Sequence, residues 1–148
     1  MIATVARYGL SYVAMHMRGT PATMQSMTDY EDVTSTVADY FADFSIRAAQ
    51  AGVSGWILDP GFGFAKTLEQ NYELMRGLSV FKDAFPSNRL LVGVSRKSMV
   101  YRLLGITPEE SLPATQVLHL HALQNGADIL RVHDVVEASQ TVSLYRAL

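Results

Sequence analysis

The sequence contains no cysteine among its 148 residues. This absence excludes disulfide bonds, thiolate catalysis and zinc sites built on cysteine. A basic excess is also lacking, because 12 Lys and Arg residues face 14 Asp and Glu residues, for a formal net charge of -2. With neither a basic surplus nor a basic run to neutralise phosphates, we expect no nucleic-acid partner.

Long hydrophobic runs are absent as well. No stretch approaches the roughly 18 uninterrupted apolar residues of a membrane span, and the first residues lack the order of a signal peptide. We therefore expect a cytoplasmic protein with no membrane partner. The chain does have an ordinary globular composition, with 49% hydrophobic and 18% charged residues. Its length predicts one domain, or a piece of one.

Short apolar runs alternate with longer segments of helical period along the chain. The predicted strands cover residues 11–17, 55–58, 90–94 and 128–132. Strands that are separated by helices pair in parallel through right-handed crossovers. The pattern therefore predicts an α/β fold, either an open doubly wound sheet or part of a closed barrel.

Two helix starts are predicted from capping signals. Thr67 and Gln70 are spaced as a capping box, in which each side chain bonds the other's backbone N–H. Thr107, Pro108 and Glu110 provide N-cap, N1 and N3 signals. They predict that another helix begins at Thr107.

Polar and charged residues follow each predicted strand. The four strand ends read MHMRGTP at 15–21, LDPGFGFAK at 58–66, VGVSRKS at 92–98 and RVHDV at 131–135. In parallel α/β folds the site lies at these carboxyl ends. The four strings, in this order and spacing, resemble the dihydropteroate synthase family of pterin-binding enzymes over essentially the whole chain. They match the second half of that family, and its N-terminal motifs are absent.

The resemblance implies a fold and an activity. The fold would be the C-terminal half of a (β/α)8 TIM barrel, with residues 1–148 as a partial pterin-binding domain. The activity would be that of a folate-pathway transferase and sulfonamide target, which condenses dihydropterin pyrophosphate with p-aminobenzoate and releases pyrophosphate. The family also implies Mg²⁺, whose ligand lies in the unmatched N-terminal half, and a homodimer. No metal ligand is expected among these residues.

The second strand end carries the predicted pterin contact. A pterin presents a ring N–H beside an exocyclic amine, and one carboxylate can accept from both. The resemblance assigns this role to Asp59, although an Asp before Pro-Gly also commonly caps its own loop. Gly61 and Gly63 would permit close backbone approach. Phe64 would border the p-aminobenzoate pocket or pack within the loop.

The third and fourth strand ends carry the predicted catalytic residues Lys97, Arg131 and His133. Lys97 would reach the pterin carbonyl oxygen. Ser98 would open the next helix, where it could bind the p-aminobenzoate carboxylate, act as an N-cap, or do both. Arg131 and His133 are two residues apart, so a regular strand would place them on one side. A guanidinium can lie against a flat pterin, and with imidazole it can stabilise a leaving pyrophosphate.

A methionine is expected to form an apolar surface under the pterin. Met15 and Met17 would project to one side of the first strand and His16 to the other. The spacing does not choose between the two methionines, and either could instead pack in the core.

Four further polar residues are predicted to be structural. Arg96 would form a salt bridge, and Asp134 would orient its loop. His119 and His121 lie within a predicted helix without a second metal ligand at helical spacing. None of the four is expected to contact a substrate.

Two other functions fit parts of the pattern. A pterin-binding domain of a methyltetrahydrofolate-dependent methyltransferase would share the Asp59 role, but it would not need Lys97, Ser98 and the Arg131/His133 pair together. A noncatalytic half-barrel would expose sheet edges and apolar strand faces that favour association.

Overall fold

Four parallel strands form one sheet in a computed structural model that describes all 148 residues. The strands are β1 (Tyr12–Met15), β2 (Trp56–Asp59), β3 (Arg89–Val92) and β4 (Ile129–Leu130), in the spatial order β1-β2-β3-β4. The helices are α1 (Ile2–Tyr8), α2 (Val33–Gln50), α3 (Leu68–Arg76), α4 (Leu78–Ala84), α5 (Ser98–Leu104), α6 (Leu112–Gln124) and α7 (Val135–Ala147). A short 3-10 helix covers Met24–Ser26. The predicted alternation of parallel strands and helices is confirmed.

The hydrophobic core lies between one face of the sheet and the helices. Ala14, Leu58 and Leu90 are fully buried in it together with apolar residues of the helices. Side chains alternate across a strand, so Met15 and Asp59, which are paired in register, lie on the opposite face. That second face carries the polar strand ends.

The helix α2 shows how the sequence positions this core. Asp32 is its N-cap and accepts a hydrogen bond from the Ser35 N–H at 2.6 Å. Its buried side chains recur at helical spacing, and they are Val33, Val37, Phe41, Phe44 and Ala48. Phe41 and Phe44 pack against Trp56 of β2, which fixes the helix to the sheet.

Three strands are shorter than predicted, and one of them is β3, which ends at Val92 rather than Val94. β1 ends at Met15, because the Gly61 loop crosses the strand end so closely that an added Cβ on Gly61 would lie 2.0 Å from the His16 carbonyl oxygen. β4 has only two regular residues. Beyond it, the His133 N–H donates to the Ser95 hydroxyl at 3.2 Å rather than to a strand backbone. Met17 and His133 therefore lie outside regular strands.

The predicted helix start at Thr107 is wrong, since α6 begins at Leu112. Glu110 does accept the Thr107 N–H at 2.9 Å, but these residues form a turn. A helix from Thr107 would need the N–H of residue 113 for an internal hydrogen bond, and Pro113 has none. In the observed helix, Pro113 is the second residue of α6. Backbone N–H groups at that position have no partner within the helix, so the missing N–H of proline costs no hydrogen bond.

None of the seven helices combines the length and the apolar character needed to cross a membrane.

Candidate active site

Asp59, at the end of β2, is a buried carboxylate with one oxygen left over. Its Oδ1 accepts the Gly61 N–H at 2.9 Å, so the predicted loop-capping role is present. Its Oδ2 has no hydrogen-bond partner and lies 3.4 Å from Nη1 of Arg131. Burial raises the pKa of Asp59, while the Gly61 N–H and the cations of Arg131, Lys97 and Lys66 oppose that rise.

Arg131 reaches this carboxylate by lying against Gly93, the first residue after β3. A Cβ added to Gly93 would lie 2.8 Å from Nη2 and 2.9 Å from Nε of Arg131, so only glycine leaves room for the guanidinium. The side chain is half exposed, whereas the Asp59 side chain is buried. One face of a planar cation is thus open to a ligand beside a buried anion.

Lys97 connects the third strand end to the loop after β2. It is the N-cap of α5, its ammonium donates to the Phe62 carbonyl, and Nζ lies 4.8 Å from the Phe64 ring centroid. Burial lowers the pKa of Lys97 to about 8, the Arg131 cation adds to that lowering, and Asp59 opposes it. Lys97 is therefore a partly desolvated cation held against the loop after β2.

Arg131 and His133 line one small cavity, although β4 ends before them. The cavity has a volume of about 120 Å³ and is lined by Gly93, Ser95, Lys97, Arg131, Val132 and His133; we refer to it as the β3–β4 cavity. His133 is held by Ser95, whose Oγ lies 3.0 Å from Nδ1. The three predicted catalytic side chains are thus brought together by the fold.

A second and larger cavity has a volume of about 530 Å³. It is lined by Gln25, Thr28, Gly63, Lys66, Thr67, Leu68, Asn71, Ser98, Met99, Tyr101 and Arg102, and we call it the β2–α5 cavity. Ser98 is the first helical residue of α5 and makes no side-chain cap, so the alternative N-cap role is wrong. Gly63 has φ +80° and donates its N–H to Asn71 at 2.7 Å.

The two methionines occupy different positions. Met15 is in β1, directly beside Asp59 in register, while Met17 follows the end of the strand. His16 is buried and packs edge-on against Tyr40, with ring centroids 5.2 Å apart. The geometry thus separates residues that the sequence could not distinguish.

Arg96 and Asp134 form the predicted structural ion pair. Arg96 donates from Nε and Nη2 to both carboxylate oxygens at 2.8 and 2.7 Å, and from Nη1 to the carbonyls of Pro108 and Glu109. Its backbone has φ +50°, a strained value for a residue with a side chain. The pair joins the loops that carry Lys97 and His133.

Lys66 is a site residue to which sequence reasoning assigned no role. Its ammonium is buried and donates to the carbonyls of Gly61 and Phe64 at 3.0 and 3.1 Å and to His16 Nδ1 at 3.0 Å. Burial lowers the pKa of Lys66 to about 7, and burial together with the Lys66 cation lowers that of His16 to about 3. Lys66 therefore holds the glycine-rich loop against the end of β1.

Ser95 and Gly93 were also missed. For Gly93 a signal existed, because an isolated glycine in a strand marks a close approach of another group. For Ser95 and Lys66 no signal existed. Their partners, His133 and His16, are distant in the chain, so the sequence does not show that these side chains meet.

The remaining histidines and the acidic residues do not build a metal centre. His119 is fully buried, with Nδ1 3.1 Å from Gln116 Oε1, and His121 Nε2 lies 3.3 Å from the Met75 carbonyl. No group of three or more His, Asp or Glu side chains is placed to hold a metal ion. Asp59 is already engaged by a backbone N–H and Arg131. The residues present therefore do not fit a magnesium site on their own.

Comparison with known proteins places this geometry among pterin-binding proteins. A family described as "Pterin binding enzyme" matches residues 1–133. The dihydropteroate synthase of Escherichia coli (strain K12) is 40% identical over 148 residues, which cover 99% of this chain and 52% of that protein. The chain spans about half the length of the curated relatives it matches.

Solved structures agree with the sequence comparison. Dihydropteroate synthase from Thermus thermophilus in complex with 4-aminobenzoate superposes with a TM-score of 0.94 at 38% identity, covering 100% of this chain and 60% of that one. The same enzyme in complex with 6HMPPP also gives 0.94. The Yersinia pestis enzyme with a sulfonamide drug complex gives 0.93 at 36% identity, covering 99% of this chain and 53% of that one. The sheet is thus half of the fold of these enzymes.

Proposed function

Because the chain belongs to the family of pterin-binding enzymes, we propose that it carries four strand ends of a dihydropteroate synthase active site. The family match confirms the resemblance of its strand-end sequences. The proposed reaction joins dihydropterin pyrophosphate to p-aminobenzoate and gives dihydropteroate and pyrophosphate. One observation carries the proposal most directly, which is that Oδ2 of the buried Asp59 has no hydrogen-bond donor and only an ion-pair contact with Arg131 at 3.4 Å.

The proposed pterin position lies over the face that carries Asp59. A buried carboxylate oxygen without a hydrogen-bond donor costs folding free energy, and Oδ2 of Asp59 is such an atom. The two parallel N–H groups of a pterin would supply donors to this carboxylate. Met15, the methionine beside Asp59 in register, would form the apolar surface under the ring. The exposed face of Arg131 would cover the other side.

The proposed arylamine position lies beside Lys97, which lines the β3–β4 cavity and passes close to Gly63 of the β2–α5 cavity. Gly63 and Ser98 line the β2–α5 cavity, and Phe64 contacts the Lys97 ammonium. An aromatic amine could pack against Phe64, with its carboxylate near the Ser98 hydroxyl. Lys97 would donate to the pterin carbonyl oxygen from the same point.

The proposed chemistry is an alkyl transfer. The C–O bond to pyrophosphate breaks, a C–N bond to the arylamine forms, and the amine proton passes to solvent. Cations aimed at the developing negative charge lower the barrier, because they need no reorganisation in a partly desolvated site. Arg131 and Lys97 line the β3–β4 cavity as cations and would stabilise the leaving pyrophosphate, and His133 lines the same cavity and would add a hydrogen-bond donor.

Magnesium remains a prediction from the family resemblance. It would supply charge stabilisation to the pyrophosphate when bound. Since no ligand set for it occurs among these residues, no step of the proposed chemistry depends on it.

A homodimer is the proposed assembly. An apolar groove runs between α6 and α7, and it is lined by Gln116, Val117, Leu120, Thr141, Leu144, Ala147 and Leu148. Val117 and Leu144 are each 68% exposed, which is unusual for adjacent large apolar side chains of a monomer. Sedimentation of the parent chain and a Leu144→Asp variant tests the proposal. A dimer that dissociates in the variant supports it, and a monomeric parent contradicts it.

Pyrophosphate release tests the proposed reaction. We expect release from dihydropterin pyrophosphate to require both p-aminobenzoate and the intact Arg131 and His133 pair. Binding of pterin without release would favour the noncatalytic half-barrel, and transfer of a methyl group from methyltetrahydrofolate would favour the methyltransferase. Either result would contradict the synthase assignment.

A further inference from the structure

Ser95 makes two contacts with one residue, His133. Its hydroxyl oxygen lies 3.2 Å from the backbone nitrogen of His133 and 3.0 Å from the ring nitrogen Nδ1. Ser95 is 4% exposed, and its hydroxyl has no other hydrogen-bond partner. The serine therefore holds both the backbone and the ring of this histidine.

The protons of this arrangement can be assigned by counting donors. A backbone N–H can only donate, so the Ser95 oxygen accepts from the His133 N–H. The hydroxyl then has one proton to donate, and buried hydroxyl groups rarely leave it unpaired. The only acceptor within reach is Nδ1 of His133. A ring that accepts at Nδ1 is neutral and carries its proton on Nε2.

We propose that Ser95 is a positioning residue that holds the neutral His133 ring in the tautomer with its proton on Nε2. With Nδ1 engaged by the serine, Nε2 is the nitrogen left for a ligand in the β3–β4 cavity. The position of the imidazole proton is inferred only from the two contacts between Ser95 and His133. The catalytic part of the proposal, that Nε2–H donates to an oxygen of the leaving pyrophosphate, rests on the proposed function.

The neighbouring ion pair between Arg96 and Asp134 also holds the loops of Ser95 and His133 together. Arg96 follows Ser95 in the chain and Asp134 follows His133, and the two charged groups are joined by a two-point hydrogen-bonded pair at 2.7 and 2.8 Å. The loops after β3 and β4 are therefore connected twice, once by charge and once by the hydroxyl. The hydroxyl is the contact that determines where the imidazole proton lies.

The experiment is ¹⁵N NMR of the imidazole rings in the 148-residue chain at about pH 9, where histidine is ordinarily neutral. We expect His133 to show a protonated Nε2 and an unprotonated, hydrogen-bonded Nδ1. In Ser95→Ala, the Nδ1 resonance should move to the position of a free unprotonated nitrogen. His119 is an internal control, because its Nδ1 faces the amide oxygen of Gln116 and should be protonated in both proteins.

A protonated Nδ1 on His133 of the parent chain would overturn the proposal, whether or not the variant folds. An Nδ1 resonance that does not move in a folded Ser95→Ala would also overturn it. The catalytic part is tested separately by the kinetics of pyrophosphate release in Ser95→Ala. We expect kcat to fall about tenfold, the size expected for one hydrogen bond, while the KM for p-aminobenzoate stays unchanged. Unaltered kcat would overturn that part. A chain with the expected resonances but no pterin binding would refute the proposed function and leave the Ser95 geometry intact.

Discussion

Arg131 passes the end of β3 to bring its Nη1 within 3.4 Å of Oδ2 of Asp59 on β2. The contact joins the residue that follows β4 to the end of β2, and it is sterically allowed because residue 93 has no side chain. A buried anion and a half-exposed cation thus share one edge of the proposed pterin site. The proposed recognition of a pterin depends on this relationship.

Gly93→Ala is predicted to weaken pterin binding by displacing Arg131. The added methyl group would lie within about 3 Å of two guanidinium nitrogens, so the side chain must leave its path past the end of β3. Calorimetry with a dihydropterin pyrophosphate analogue should show an affinity lower by on the order of tenfold, as expected for the loss of one charge-assisted contact. The matched control is Gly55→Ala, whose added Cβ would meet only the Ser11 hydroxyl at 3.5 Å. Equal affinity in the two variants would contradict the steric argument.

Lys97→Met is predicted to reduce turnover without unfolding the chain. The substitution keeps an apolar stem but removes the ammonium that contacts the Phe62 carbonyl and the Phe64 ring. We expect kcat for pyrophosphate release to fall by on the order of a hundredfold or more, the usual cost of removing a preorganised charge-stabilising donor. Lys82→Met, which removes an ion pair with Asp128 elsewhere, serves as the control and should retain kcat. Near-normal kinetics in folded Lys97→Met would refute its assigned role.

His16 is predicted to make the fold sensitive to acid. Its pKa is lowered to about 3 from an ordinary 6.5, so between these values the unfolded chain binds more protons than the folded one. The stabilisation is fully present above pH 6.5 and is lost as the pH falls toward 3. Urea unfolding should show a free energy that decreases by on the order of a few kcal/mol over this window.

The variant His16→Asn keeps an acceptor for Lys66 but cannot titrate, so its unfolding free energy should change less over the same window. His121→Asn is the matched control and should keep the parent's acid dependence. If His16→Asn and the parent lost stability in parallel, protonation of His16 would not be the cause.

The Arg96–Asp134 pair is predicted to act on catalysis through its neighbours. Removing it should loosen the loops that carry Lys97 and His133, since Arg96 holds an unfavourable positive φ through four hydrogen bonds. In a double-mutant cycle, Arg96→Ala and Asp134→Ala should each lower kcat, and the double variant should lose less than the product of the two. Fully multiplicative effects would mean that the pair does not couple the loops.

Much of the site could be predicted from sequence because its parts are local. Each strand end follows a short apolar run, and parallel topology brings such ends to one edge. The capping box of Thr67 and Gln70 is confirmed for the same reason, since both hydrogen bonds form between residues three positions apart. Arg131 and His133 share a cavity as the topology requires, even though the strand that was expected to align them ends at Leu130.

The features that were not predicted depend on long-range contacts. The end of β1 is set by Gly61, which is distant in the chain, and the path of Arg131 is set by Gly93. The start of α6 was misplaced because two prolines gave opposite signals, and Pro113 determined the outcome. Lys66 and Ser95 acquire their roles only when the loops meet His16 and His133.

Binding of a dihydropterin pyrophosphate analogue to the parent chain and to Asp59→Asn, measured by calorimetry, tests the central claim most directly. We predict that the parent binds and that the variant binds more weakly by about 2 kcal/mol or more, because a buried ionic acceptor is lost. Equal affinity in the two proteins, or no binding by a folded parent chain, would contradict the assignment of this face as a pterin site.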